Sequence, residues 1–324
     1  MTVQNYLREW TGQPVRDILS GMVGTFALIP EVIAFSYVAG VAPEVGLFAS
    51  FVISVVIAIT GGRPGMISGA AGSVALVAAS LVHTHGLQYL LLATLMAGGI
   101  QIVFGLLRLQ SIMCFVSREV ETGFVNALAI LIFSAQLPQM LHVSWHTYAL
   151  IALGLAIVYL LPRLSAAIPS PLVCIVVLTA LCAVVPMPVR VVADLGALPT
   201  GLPHFTLPAV PLSTDALLTV LPYAFAMAMV GLLESLMTAA VVDEMTDTHS
   251  SKRMECTGLG LSNIMAGLFG GIAGCGMIGQ TVGNLRYGGR GRCPPLPPGP
   301  FCSCCWWHYT RWWPACRLPP LLRS

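Results

Sequence analysis

Two glycine-rich stretches decide the fold of this chain: ISGAAGSVALV at residues 67–77 and GIAGCGMIGQTVGN at residues 271–284. Both are apolar, and neither is long enough to cross a bilayer as a full helix, which takes about 20 residues. Ala-Gly-Ser ends at Ser73 and Ala-Gly-Cys ends at Cys275, which are 202 positions apart (275 − 73 = 202). Short, glycine-interrupted membrane segments at matching positions of two halves are typical of the substrate site of a secondary transporter.

Two carboxylates have almost the same spacing. Glu31 and Glu234 each lie in an apolar segment upstream of one glycine-rich stretch, and they are 203 positions apart (234 − 31 = 203). Two unrelated features that repeat at nearly one period indicate a duplicated unit. A chance match is the alternative, because three small residues match easily.

The composition places most of the chain in lipid. Hydrophobic residues make up 56% of the sequence and charged residues 9%, whereas a soluble domain carries about 25% charge. A surface that faces water needs more charged side chains than this chain has. The lipid bilayer is therefore the predicted surroundings and partner of most of the chain. With a net charge of +2 and no basic patch interleaved with aromatic residues, no nucleic-acid partner is expected.

The apolar runs predict an all-α polytopic membrane protein. Eight of them are placed as full spans, and the two glycine-rich segments form shorter ones. The full spans are placed at 18–39, 45–61, 88–107, 120–138, 147–162, 171–186, 216–240 and 255–270, and the short segments at 69–82 and 274–285.

The positive charges predict the orientation of these segments. With the N-terminus in the cytoplasm and both short segments counted as crossings, eleven arginines and lysines fall on the cytoplasmic side and only Arg190 falls outside. Such a bias is what the positive-inside rule describes. It predicts a multi-pass protein of the cell's inner (plasma) membrane.

The chain therefore divides into five predicted parts, with an extended, proline-containing linker between two repeats. The parts are the cytoplasmic N-terminus (1–17), a first repeat of seven segments (18–186), an extracytoplasmic linker (187–214), a partial second repeat with segments eight to ten (215–292) and a tail (293–324).

The tail differs in composition from the rest. It holds five of the ten cysteines, four of the six tryptophans and eight of the 23 prolines. A metal site there is disfavoured, because zinc sites usually pair their ligands at separated positions and this cluster does not: Cys302, Cys304, Cys305 and His308. We interpret the tail as out-of-frame translation, which the nucleotide sequence tests.

Glu234 is the strongest candidate for a functional residue. It lies deep in the span at 216–240, where an ionisable group is costly unless it is paired or faces water. Thr238 lies one helical turn further on the same face, and a carboxylate beside a hydroxyl suits Na⁺ or a proton relay. A carboxylate satisfied by a neighbouring helix is the alternative.

Glu31 follows Pro30 in the first span. Proline removes a backbone donor and kinks a helix, which leaves a carbonyl free near the carboxylate. The alternative is that Pro30 shapes packing and Glu31 lies near the outer interface.

The glycine-rich segments predict an anion site without basic side chains. A helix that begins inside the membrane directs unpaired N–H groups and a positive dipole end at whatever faces its start, and glycine lets an anion approach the backbone. Close packing through small residues is the alternative and is compatible with binding. The predicted contacts are backbone N–H groups near Gly72, Ser73, Gly274, Cys275 and Gly276, with the Ser73 hydroxyl as an added donor.

At these residues the chain resembles the sulfate permease (SulP) family of anion transporters, and most closely its bacterial bicarbonate and sulfate members. The resemblance covers most of residues 14–292 in family order. It is carried by LSGMVGTFALIPEVIAFSYVAGVAPEVGLFASF, GGRPGMISGAAGSVALV, ETGFVNALAILIF, DLGALPTGLPHFTLPAVPL, VGLLESLMTAAVVDEMTDTHSSKRMECTGLGLSNIMAGLFGG and GCGMIGQTVGNLRYGGRGR.

The resemblance implies fourteen segments in two inverted repeats of seven, with two half-helices and a core domain that rocks against a gate domain. It implies that the third and tenth segments start opposite each other and bind the anion, and that Glu31 and Phe35 belong to this anion site. In the family the acid that matches Glu234 serves cation coupling in bicarbonate members, with Thr238 beside it.

The sequence departs from the family pattern in two places. Gln280 stands where many relatives carry arginine, which removes a fixed positive charge. Segments eleven to fourteen and the C-terminal STAS domain of the family have no counterpart, so the fold is predicted to be truncated after the tenth segment.

The predicted function is cation-coupled secondary transport of a small inorganic oxyanion, of the sulfate or bicarbonate class, by alternating access. Na⁺ or H⁺ is the expected coupling ion, with no other cofactor, and a homodimer is implied by the resemblance alone. A non-transporting membrane fragment and a nucleobase permease of the same fold are the alternatives. An enzyme is not expected, because no nucleophile and base lie at a usable spacing.

Overall fold

The computed structural model describes residues 3–109, 118–141, 143–164, 170–185, 203–210 and 213–292. Over these residues the chain forms eleven helices and two short strands. They are α1 (Val3–Thr11), α2 (Pro14–Val38), α3 (Pro43–Thr60), β1 (Ser68–Ala70), α4 (Gly72–His85), α5 (Leu87–Leu106), α6 (Arg118–Met140), α7 (Trp145–Leu164), α8 (Ser170–Val184), α9 (Thr214–Thr246), α10 (Lys252–Leu268), β2 (Gly274–Gly276) and α11 (Ile278–Arg286).

Each of the ten predicted segments overlaps one helix, from α2 to α11. By length and apolar composition, five of the described helices can cross a membrane: α2, α3, α5, α7 and α9. Shorter apolar stretches lie in α6 and α8. Helix α10, which was predicted as a full span, has 17 residues and buries Glu255, Ser262 and Asn263. It is therefore an internal helix that packs against protein more than against lipid.

Three elements were not predicted. Helix α1 lies in the polar N-terminal stretch, where the sequence offers no apolar run. Strands β1 and β2 lie at the start of the two short segments and pair antiparallel, with Gly69 opposite Cys275. Strands are recognised from an alternation of apolar and polar side chains over at least four residues, and three small residues are too few to show it. The glycine-rich stretches therefore indicated only where the two helices would begin.

The strand pair confirms the inverted repeat and corrects its register. Helices α2 and α3 precede β1 and α4 as α9 and α10 precede β2 and α11. Gly72 and Ile278, which begin the two half-helices, are 206 positions apart (278 − 72 = 206). The match of Ala-Gly-Ser with Ala-Gly-Cys at 202 positions is therefore wrong by four residues, because Gly274 and Cys275 belong to the strand and not to the helix.

The apolar core lies among α2–α5, α9, α10 and the strand pair. Helices α5 and α10 cross with their backbones almost in contact. A Cβ atom on Gly98 would lie 2.6 Å from the Gly260 carbonyl oxygen. Small residues at such a crossing let helices in a membrane gain van der Waals contact, and this crossing fixes α10 beside the strands.

Helices α6–α8 form a second group in the sense that none of their described residues belongs to the buried apolar core. Helix α7 packs on α8, and contacts to the core run from α8 to α2 and from α6 to α4. Apolar side chains of this group are exposed, including Leu131, Tyr159 and Val176.

The loop that leads from α3 into β1 is tied to α9 and α10. The Gly62 N–H donates to Glu255 Oε2 at 2.9 Å, and the Arg63 guanidinium lies 3.1 Å from the Asp243 carboxylate. Burial lowers the pKa of Arg63, whereas the charge of Asp243 acts in the opposite direction. The loop is thereby held at a fixed position relative to α9, which carries Glu234.

Arg292 joins the two ends of the described chain. Its buried guanidinium lies 2.6 Å from Glu9 of α1 and 4.9 Å from the centre of the Tyr6 ring. It also donates to the Gly61 carbonyl oxygen at 2.7 Å. These contacts hold α1 against the end of α3.

Several sequence-based predictions lie outside the described residues: Arg190, most of the 187–214 linker and the tail with its cysteine cluster. The described part of the linker is held in place, since Thr206 N–H donates to the Leu268 carbonyl oxygen at 2.7 Å and Ala209 N–H to Gln88 Oε1 at 2.9 Å. The domain boundaries themselves stay predictions.

Candidate anion and cation site

The strand pair places two helix starts opposite each other. Helix α4 leaves β1 through Ala71, and α11 leaves β2 through Met277, with extended backbone at both residues. Because the strands are antiparallel, the two helices leave the pair at opposite ends. No side chain caps either start, so both present first-turn N–H groups without an intrahelical acceptor.

Side chains from helices α3 and α10 hold the backbone of the strands. Ser50 and Ser54 of α3 bond to Ala70 N–H and the Ser68 carbonyl oxygen, at 3.0 and 2.9 Å. On the other strand, Asn263 of α10 bonds to both backbone groups of Gly274, at 2.9 and 3.1 Å. Backbone polar groups at membrane depth need partners inside the protein, and these side chains supply them.

Two of the predicted anion contacts are therefore occupied. The Gly274 N–H donates to Asn263 Oδ1, and the Gly276 N–H donates to Ser235 Oγ at 2.8 Å. The free donors of this half lie further on, in the first turn of α11 at 278–280. The prediction of N–H donors at Gly274 and Gly276 was wrong because the helix begins four residues later than the sequence match suggested. At the other start, Gly72 and Ser73 are the first two residues of α4, as predicted.

Glu234 lies where the two halves meet. Its Oε2 accepts hydrogen bonds from Ser73 Oγ and from Cys275 Sγ, the latter at 3.1 Å. One carboxylate thus joins α9, the start of α4 and strand β2. The structure brings three of the predicted site residues into direct contact.

Thr238 lies beside this cluster, but its hydroxyl contacts backbone carbonyl oxygens and not the Glu234 carboxylate. Its hydroxyl lies 2.8 Å from the Glu234 carbonyl oxygen and 3.0 Å from the Gly276 carbonyl oxygen. The hydroxyl oxygen, the Gly276 carbonyl and the nearby carboxylate are hard oxygen ligands of the type that small cations prefer.

Glu31 and Phe35 bring α2 to both helix starts. The Gln280 amide in the first turn of α11 donates to Glu31 Oε2. One turn further along α2, the Phe35 ring lies against Gly72, where a Cβ atom would come within 2.6 Å of the ring. Sequence analysis placed Glu31 and Phe35 in the site but missed that Gln280 is a hydrogen-bond partner of Glu31.

The site has two acidic side chains and no basic partner among the described residues. The two ion pairs that the described chain contains, Arg63–Asp243 and Arg292–Glu9, involve neither Glu31 nor Glu234. In the same part of the chain no group of three or more His, Cys, Asp or Glu side chains is arranged to hold a metal ion. Positive potential at the site therefore comes from the helix starts, each equivalent to roughly half a unit charge.

Replacing Asn263 with alanine should destabilise the protein. Both backbone groups of Gly274 would lose their partner in a fully buried position, at a cost of about 1–3 kcal/mol for each unsatisfied group. The measurement is the free energy of unfolding in detergent. Asn126, which is exposed on α6, is the control position, and an equal effect of Asn126→Ala would contradict the assigned role.

A model of the sulfate permease family matches residues 15–153 and 138–293. The chain belongs to the sulfate permease family. The matched ranges include both half-helices, both strands and every residue of the site described above. Family membership confirms that the chain derives from a transporter and not from an enzyme.

Individual relatives support the same assignment. The chain is 53% identical over 294 residues to YbaR of Bacillus subtilis (strain 168), whose name proposes it as a sulfate transporter, and this match covers 91% of the chain and 62% of YbaR. It is 28% identical over 308 residues to the bicarbonate transporter BicA of Picosynechococcus sp., covering 85% of the chain and 54% of BicA. The chain thus spans between half and two thirds of the length of these relatives.

Solved structures confirm the fold. The transmembrane domain of a cyanobacterial bicarbonate transporter BicA superimposes with a TM-score of 0.79 at 26% identity, over 92% of this chain and 84% of that domain. The murine anion transporter Slc26a9 in an inward-facing state gives a TM-score of 0.79 at 17% identity, over 94% of this chain and 59% of Slc26a9. The inverted-repeat membrane fold of the family is therefore shared by this chain.

Proposed function

We propose that this protein carries a small inorganic oxyanion, of the sulfate or bicarbonate class, across the cell's inner (plasma) membrane. The observation that supports it is the pair of uncapped helix starts on opposite ends of the strand pair. A small anion suits these starts, because backbone N–H groups and two dipole ends can bind it without a basic side chain. The N-terminus is proposed to face the cytoplasm.

The charges at the site support coupling to a cation. Two helix starts supply roughly one positive charge together, while Glu31 and Glu234, when ionised, supply two negative charges. A bound anion would add further negative charge at membrane depth, which is costly unless cations accompany it. Glu234 is the proposed coupling residue for Na⁺ or H⁺, with Thr238 and the Gly276 carbonyl as neighbouring oxygen ligands.

Alternating access is proposed to move the site between the two sides of the membrane. The strand pair and the side chains that hold it belong to the core. Helix α8 contacts this core through α2, and helix α6 contacts it through α4. The core is therefore the unit that would carry the anion past the second group. Assembly as a homodimer stays a separate prediction.

The test is uptake of labelled sulfate and labelled bicarbonate into proteoliposomes that contain the full chain. We expect uptake of one or both to exceed that of empty liposomes and to rise with an inward Na⁺ or proton gradient. Labelled uracil serves as the comparison substrate, because a nucleobase permease of this fold would accumulate it. Sulfate and bicarbonate uptake at the level of empty liposomes under every gradient would contradict the proposal.

A further inference from the structure

Two buried arginines outside the anion site line one small cavity. Arg63 follows the end of α3 and Arg292 follows α11, and their side chains are 7% and 2% exposed. The cavity has a volume of about 10 Å³. A water molecule needs a cavity of at least about 10–15 Å³, so there is room for one water and for little else. The other residues that line the cavity are apolar: Ile57, Ala58, Pro64 and Met66.

Each of the two guanidinium groups has a buried donor atom without an acceptor among the described residues. Arg63 pairs with Asp243 through Nη1, but its Nε has no acceptor. Arg292 donates to Glu9 through Nε and to the Gly61 carbonyl oxygen through Nη1, but its Nη2 has no acceptor. A buried N–H group that has lost water without gaining an acceptor is costly. An occupant of the cavity that accepts from both donors would remove this cost.

A third atom without a partner belongs to a carboxylate near the two arginines. Glu255 of α10 is fully buried, and its Oε2 accepts from the Gly62 N–H at 2.9 Å. Its Oε1 has no donor among the described residues. The charges of Arg63 and Arg292 both act on this carboxylate. An occupant that accepts from two donors and also donates to one acceptor would therefore satisfy all three side chains.

The charges favour water over an anion as this occupant. Arg63 and Arg292 are already paired with Asp243 and Glu9, at 3.1 and 2.6 Å. Glu255 adds a third carboxylate to the two guanidinium groups, so no positive charge is left over to balance an anion. A buried water is neutral and typically makes about three hydrogen bonds to polar groups that otherwise lack partners. Two guanidinium donors and one carboxylate acceptor are such a set.

We propose that one buried water molecule occupies this cavity as a fixed part of the structure. It accepts hydrogen bonds from Arg63 Nε and Arg292 Nη2 and donates one to Glu255 Oε1. Arg63 precedes β1 in the first half of the chain and Arg292 follows α11 in the second half, so the water joins the two halves. It adds to the direct bond from the Gly65 N–H to the Gly291 carbonyl oxygen at 2.7 Å. No residue of the anion site takes part, so the water is bound whether or not the chain transports an anion.

Radiolytic labelling of the full chain in detergent tests for the water. Ionising X-rays turn bound water into hydroxyl radicals, which oxidise a side chain in contact with it, and methionine records this as its sulfoxide. Met66 lines the cavity and Met227 lies in the apolar core, and they are 2% and 0% exposed. We expect Met66 to be oxidised several times faster than Met227. Equal protection of the two methionines would contradict a water in the cavity.

Ala58→Val separates water in the cavity from other water near Met66. Ala58 lines the cavity, and the two added methyl groups would take the space of the water. In this variant we expect the oxidation rate of Met66 to fall to that of Met227. Ala42→Val, at the exposed start of the same helix, is the matched control and should keep the wild-type rate. A wild-type rate in Ala58→Val would assign the oxidation to water elsewhere and overturn the proposal.

A crystal structure of the full chain identifies the occupant without any substitution, which covers the case in which Ala58→Val fails to fold. We expect one density peak at about 2.7–3.2 Å from both Arg63 Nε and Arg292 Nη2. In crystals grown with sodium bromide, this peak should show no anomalous scattering. A bromide signal at the peak would overturn the proposal in favour of an anion. A cavity without a peak, or protein acceptors on both nitrogens, would overturn it outright.

Discussion

Replacing Glu234 with glutamine is expected to abolish the dependence of anion uptake on a cation gradient. Glutamine keeps the size of the side chain and can still accept from Ser73 or Cys275, which bond to Glu234 in the structure, but it can neither hold a negative charge nor carry a proton. Truncating one partner of a buried charge pair costs about 2–5 kcal/mol, so the affinity for the coupling cation should fall about 30-fold or more. Uptake into proteoliposomes with Na⁺ or pH gradients imposed separately measures the effect.

Glu44→Gln provides the control for this experiment, because it makes the same replacement of a carboxylate by an amide at another position, in the first turn of α3. It should leave both gradient effects unchanged. A Glu234→Gln protein that still responds to the same gradient as the wild type would remove Glu234 from the coupling mechanism. Downhill exchange of anion without a gradient is expected to survive in Glu234→Gln, because the helix starts remain.

The second large effect is expected from a single methyl group on β2. In Gly274→Ala the added Cβ would overlap the Gly69 backbone carbonyl and lie 2.8 Å from Ile53. The strands would have to separate, and a backbone that moves away loses its hydrogen bonds to the side chains that hold it. Overpacking of this kind typically costs about 1–3 kcal/mol, and here it also displaces both helix starts. We expect a lower free energy of unfolding and at least about a tenfold higher Kd for sulfate, which corresponds to about 1.4 kcal/mol.

Gly283→Ala is the matched control on α11, since nothing lies within 4 Å of the position its Cβ would take. An alanine in a helix at a compatible backbone conformation is neutral or stabilises by about 0.4–1 kcal/mol. Equal losses in the two variants would mean that the close approach of β1 and β2 does not support the site.

The large-scale fold could be predicted from the sequence because lipid imposes a strong constraint. Apolar runs located all ten segments, and the paired glycine-rich stretches indicated two short helices inside the membrane. Glu234 was predicted as a site residue from the cost of a buried carboxylate, and Ser73 and Cys275 were predicted separately from the positions of the helix starts. The structure places all three in contact.

The details of the site could not be predicted, because they depend on contacts between distant parts of the chain. Ser50 and Ser54 lie one turn apart in an apolar helix, and only the position of β1 shows that they bond to its backbone. Asn263 lies in α10 without any pattern that points to Gly274. Gln280 was interpreted as a missing positive charge, whereas its partner Glu31 lies 249 positions away (280 − 31 = 249).

The strand pair has a consequence for how the protein is made. Gly69 and Cys275 face each other but leave the ribosome 206 residues apart (275 − 69 = 206), which takes about 10–40 s at 5–20 residues per second. Until β2 is made, β1 has no partner strand, and backbone polar groups at membrane depth need partners inside the protein. A chain whose synthesis stops before residue 274 therefore lacks the strand that pairs with β1.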